Sequence, residues 1–177
     1  RDRYLRFRYY LSRYRNILEP IISLYLFEKG ISPEYPNGKK FAIFLSHDID
    51  FLWFNRFVAL YNSARYFLKG KKYLAGRFLL SIIFKKKSPM NNIAEIIKLE
   101  DKYNAKSTFF LVTSNKPDPE IASRYNINEI LDIITPLLDS DWEIGLHGSI
   151  YASTDLEKIK EEKSKLEKAI GLSLIHI

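Results

Sequence analysis

Two carboxylates separated by one residue, Asp48 and Asp50, and a histidine far along the chain, His147, are the side chains best suited to joint chemistry. Each follows a short apolar stretch, FAIFLS before the acids and WEIGL before the histidine. Oxygen and imidazole donors from two distant stretches can grip one divalent cation, with one carboxylate left over as a base. Such a site suits hydrolysis: the cation, held by Asp50 and His147, polarises a carbonyl and acidifies water while Asp48 accepts a proton. A plainer reading stays open, in which Asp48 and Asp50 cap a helix beginning near Phe51 and His147 is a core histidine. Cysteine is absent, so disulfides and thiolate metal sites are excluded, and any metal must be held by imidazole and oxygen.

The elements that must position these groups follow from the apolar pattern. Phe41–Ser46 reads as a short strand buried on both faces, Ser107–Thr113 as a second strand by its β-branched and aromatic content, and Trp142–His147 as a third. A helix capped by Asn91 or Asn92 is expected over 91–103, with Ile93, Ile96, Ile97 and Leu99 inward. Another is expected over 127–138. A last helix has Thr154 and Glu157 as a capping box and Gly171 as its stop. Strand and helix alternate, which predicts an α/β fold with a parallel sheet. Ligands in such folds sit at the carboxyl ends of strands. That edge would carry His47, Asp48 and Asp50, then Thr113, Ser114 and Asn115, then His147, Ser149 and Tyr151.

Ahead of the first strand, residues 1–39 read as a helical segment kinked at Pro20 and stopped at Gly30, then a loop marked by Pro33, Pro36 and Gly38. Between the first two strands, about 53–88, lies a basic aromatic insert. Its apolar residues fall at helical intervals, Phe57, Leu60, Tyr61 and Ala64, then Tyr73, Phe78 and Ile82, in two helices meeting near Gly70.

Three stretches, His47-Asp48-Ile49-Asp50, Ala105-Lys106-Ser107-Thr108-Phe109-Phe110-Leu111 and Trp142-Glu143-Ile144-Gly145-Leu146-His147, occur in the order and spacing of the polysaccharide deacetylase superfamily, the NodB-homology domain. The chain resembles the His-Asp-x-Asp branch over about 40–171. The resemblance implies a partial (β/α) barrel, Asp48 as general base, Asp50 and His147 as metal ligands, and zinc or a similar divalent ion. It further implies a hydrolase that removes N-acetyl or O-acetyl groups from a cell-surface or exported polysaccharide. Where members of the family commonly carry a second histidine, this chain has Tyr151. His47 is therefore a further candidate ligand, and Ser149 and Tyr151 are candidates for contact with substrate. The family's later motifs would lie beyond Gly171, so the resemblance implies that this stretch alone is truncated and inactive. The start at Arg1 reads as a cut end, and residues 172–177 read as an adapter-encoded, non-native tail. His176 is accordingly set aside.

Composition bounds the partners. With 46% hydrophobic and 28% charged residues, the chain is an ordinary folded protein rather than a disordered one. Its net charge of +7 is concentrated: nine Lys or Arg and no acid lie between Asp50 and Glu95, and six arginines lie among aromatics in 1–15. These surfaces suit an acidic glycan or a peripheral membrane contact through the insert. Nucleic acid is not the expected partner. Two alternatives to the hydrolase stand: a relative that binds glycan without cleaving it, and a basic module for membrane or nucleic acid. No signal peptide or apolar run near the ~20 residues of a membrane span is visible.

Overall fold

The computed structural model describes residues 20–32, 34–40, 42–114, 125–140 and 142–174. The arginine cluster of 1–15, Asn115, the loop prolines Pro117 and Pro119, and His176 lie outside the described residues. The chain divides into two units, 1–44 and 45–177.

In the first unit, α1 (Ile21–Glu28) begins directly after Pro20 and is followed by Gly30, whose φ of 74° turns the chain in a way that glycine adopts at no steric cost. None of its residues is buried.

The second unit holds a parallel three-stranded sheet, β1 (Ser46–Ile49), β2 (Thr108–Val112) and β3 (Glu143–His147), in that order, flanked by helices. β2 and β3 fall within a residue or so of their expected ends. β1 does not. The apolar run expected to form it, 41–46, contributes only Ser46; Phe41 lies outside the described residues, and Ile43 and Phe44 are largely exposed. Pairing explains the shift. The ladder opens where the Thr108 N–H donates to the Leu45 carbonyl (3.1 Å), with Ser46 opposite Thr108. Residues before Leu45 find no partner strand among the described residues, so hydrophobicity alone does not make them a strand.

Side chains alternate across the sheet. One face presents His47, Ile49, Phe109, Leu111, Ile144 and Leu146, and its apolar members form or pack against the main core. Phe109 and Leu111 are fully buried there, a contribution of about 2 kcal/mol each. The other face presents Asp48, Phe110, Gly145 and His147. Phe110 is in register with Gly145 and lies over it: a Cβ on residue 145 would meet the ring at 2.5 Å, so only glycine fits.

The core is closed by α4 (Ile93–Lys102), α5 (Leu131–Leu138) and α6 (Leu156–Ile170). In α4 the inward residues are Ile93, Ile96, Ile97 and the charged Glu100, while Leu99 faces solvent, contrary to expectation. Asn92 precedes α4 without a side-chain cap. The helix expected over 127–138 is broken: a 3-10 turn, Ile127–Glu129, precedes α5. α6 ends at Gly171 (φ 71°) as expected, but its cap is Asp155, which accepts from Glu157 N–H (3.0 Å) and Lys158 N–H (3.1 Å), one residue later than Thr154. Beyond it, Leu174 is buried in the core and its N–H donates to Glu167 (2.8 Å).

The basic insert forms a helical hairpin, α2 (Arg56–Leu68) and α3 (Lys72–Ser81), turning at Gly70 (φ 73°). Asn55 caps α2 by accepting from Val58 N–H (2.9 Å). Small residues make the contact between the helices: Ala59, Ser63 and Ala75 are buried, and Ser63 Oγ donates to the Ala75 carbonyl (2.9 Å). Tyr66 stacks on Phe78, and Phe54 and Phe51 continue the aromatic row towards Asp50. The apolar series Phe57, Leu60, Tyr61 faces outward.

Candidate functional site

At the carboxyl edge of the sheet, strand alternation sets Asp48 and His147 on the same face, and Asp50 follows β1. His147 Nε2 lies 3.7 Å from an oxygen of Asp48 and 3.7 Å from an oxygen of Asp50. Both separations exceed the ~2.7–3.2 Å of a hydrogen bond. The opposite ring nitrogen, Nδ1, is buried without a hydrogen-bond partner. The imidazole is thus oriented by packing and by its two acidic neighbours, and all three side chains keep contact with solvent.

Groups behind the edge hold this arrangement. The Tyr125 hydroxyl donates to the Ile49 carbonyl (2.6 Å), one residue before Asp50, and accepts from the Val112 N–H (3.0 Å). Glu162, fully buried on α6, fixes the chain just after His147: its carboxylate accepts from the Ser149 N–H (2.9 Å) and from the Ser149 hydroxyl. Thr113 Oγ donates to the Glu162 carbonyl (2.9 Å). Ser149 is therefore turned into the fold and spent on Glu162, not presented to a substrate. Tyr151 is half-buried in the turn that leads to α6.

His47 does not join the trio. As the neighbour of Asp48 on an extended strand it points to the other face, where its Nε2 is 2.7 Å from Glu100 Oε1 and its ring rests against Phe109 (4.9 Å). Glu100 also accepts from Ser107 Oγ (2.8 Å) and Trp142 Nε1 (2.6 Å). Burial by itself would raise the Glu100 pKa, but the hydrogen bonds from His47, Trp142 and Ser107 outweigh it and hold the carboxyl below its ordinary value of 4.5. This cluster ties β1, α4 and the start of β3 together, so His47 serves the scaffold.

Among the described residues, no three His, Cys, Asp or Glu side chains are drawn together as closely as a formed metal site requires. The pairwise spacing about His147 is nonetheless the kind an ion would bridge. Two ligand bonds near ~2.1 Å to one ion hold their donor atoms roughly 3.4 to 3.7 Å apart. Asp48 and Asp50 are equidistant from the imidazole, so distance does not separate a ligand from a base.

No protein-family model, curated protein or solved structure matches the chain.

Proposed function

We propose that the chain carries the first part of a metal-dependent polysaccharide deacetylase domain, its three strands being one arc of a (β/α) barrel. The observation that carries this reading is the equal 3.7 Å approach of His147 Nε2 to Asp48 and Asp50 at the carboxyl edge. Asp50 and His147 would hold a divalent ion, zinc or a similar one as the resemblance implies, since carboxylate and imidazole both bind such ions. Such an ion, when bound, supplies polarisation of an acetyl carbonyl and acidification of water. Asp48, beside the imidazole and open to solvent, accepts the proton from the attacking water. Phe110, lying over Gly145 on the same face, offers an apolar wall beside the acids for a sugar ring. Tyr125 and Glu162 act as positioning residues, since they anchor the backbone beside Asp50 and His147.

The substrate class is an N-acetylated or O-acetylated glycan. With two protein ligands proposed at the site, ligand binding is a more sensitive readout than turnover. Titrating the chain with N-acetylglucosamine oligomers and their deacetylated counterparts, with and without zinc, should reveal zinc-dependent preference for the acetylated form. Asp50→Asn should remove that preference and Asp48→Asn should keep it, while any acetate released should require Asp48. Binding that ignores zinc and both acids contradicts the hydrolase and favours a glycan-binding relative, the reading that Tyr151 in the place of a second histidine supports.

A further inference from the structure

We propose that the α2–α3 hairpin is a docking surface for anionic membrane lipid. The first observation is that α2 is amphipathic with its large apolar residues facing outward. Ala59 and Ser63 face α3, while Phe57, Leu60, Tyr61 and Leu68, spaced as one helical stripe, are exposed; Phe57 and Leu68 are 85% and 86% accessible. At the tip, Leu68 and Tyr73 (79% accessible) flank Lys69, Gly70, Lys71 and Lys72. Past α3, Ile83 and Phe84 are exposed as well, directly before Lys85. None of the buried hairpin residues belongs to the main core cluster, so the hairpin is a satellite whose apolar side the fold leaves open.

The second observation is charge. No acid lies between Asp50 and Glu95 to offset nine Lys and Arg. Lys85 pairs with Glu129, Lys86 with Asp132, and Arg77 with Glu95 and the Lys87 and Ser88 carbonyls. Arg56, Arg65, Lys69, Lys71, Lys72 and Lys87 have no acidic partner among the described residues. Exposed aliphatic and aromatic side chains amid unpaired cations match the boundary between lipid headgroups and acyl chains. Among the described residues no helix is long and apolar enough to cross a membrane, so the contact is peripheral.

Two other occupants fit less well. A second copy docked on this face would set one acid-free cationic surface against another, with nothing to neutralise it. Single-stranded nucleic acid would use the lysines and aromatics but not Leu60, Leu68, Leu79 and Ile83, which have no ring on which a base can stack.

The test is flotation of the 177-residue chain with phosphatidylcholine vesicles, alone or with roughly a third phosphatidylserine. The chain should float with the anionic vesicles and detach as salt is raised. Each lysine near such a surface raises partitioning about fivefold, so Lys69→Gln/Lys71→Gln/Lys72→Gln should weaken it about a hundredfold. The triple Lys→Arg variant should retain binding, and Leu68→Asp/Tyr73→Asp should lose it. All these side chains are exposed at the tip, so circular dichroism and the thermal midpoint should be unchanged. Flotation absent, or unaltered by these variants, overturns the proposal. So does equal flotation on neutral vesicles, or variants that abolish RNA binding or a concentration-dependent dimer while leaving vesicle binding intact.

Discussion

At the scale of the residue, Asp48, Asp50 and His147 meet at the carboxyl edge, where chemistry in parallel sheets gathers. The short apolar run that each closes or follows made them legible. The residues supporting them were not singled out. Glu100 and Glu162 are charged residues on amphipathic helices, where acids are ordinarily solvated. Spacing carries a signal for both: Glu100 continues the stripe of Ile93, Ile96 and Ile97, and Glu162 lies between Ile159 and Leu166. For Tyr125 no such pattern exists, because its hydroxyl joins two strands remote from it in sequence. The depressed pKa of Glu100 has a consequence for stability. A carboxyl that titrates lower when folded than when unfolded stabilises the fold above the unfolded value, and that contribution fades as pH falls through the folded one. Thermal midpoints should therefore drop on acidification below about pH 4.5, and Glu100→Gln should lower the neutral-pH midpoint while flattening the acid slope. An unchanged slope in the variant would remove Glu100 from the account.

At the scale of the element, composition identified β2, β3, α6 and the hairpin, since each has a strong local signature. What it missed depends on partners. The apolar residues 42–44 have strand composition but no neighbouring strand to pair with among the described residues, whereas the polar SHDI segment has β2 beside it. In α2 the outward face is the apolar one, an inversion that periodicity cannot detect because it fixes a stripe and not its direction. The cap of α6 is a contest between adjacent residues. Asp155→Ala should cost about 1 kcal/mol of stability and Thr154→Ala close to none, measured by urea denaturation. Equal losses would mean that Thr154 also serves as a cap.

At the scale of the whole molecule, the second unit is an α/β layer structure whose sheet has one face sealed by helices and one bearing the acids and His147. Fold class was readable from alternation of strand and helix. So was the presence of three parallel strands among the described residues; the start of β1 and the direction of the hairpin surface were not, being set by long-range packing. One side of this unit thus carries the two acids and His147 and another an apolar, basic hairpin, joined through the aromatic row from Phe51 to Tyr66. The proposed chemistry depends on Asp50 and His147 sharing one cation. Calorimetric titration of the chain with zinc addresses it directly: about one ion should bind per chain, and free zinc at ~100 times its dissociation constant should stabilise the fold by roughly 2.7 kcal/mol. Asp50→Asn and His147→Ala should each abolish both effects. Absence of saturable binding, or binding untouched by these substitutions, would contradict the account.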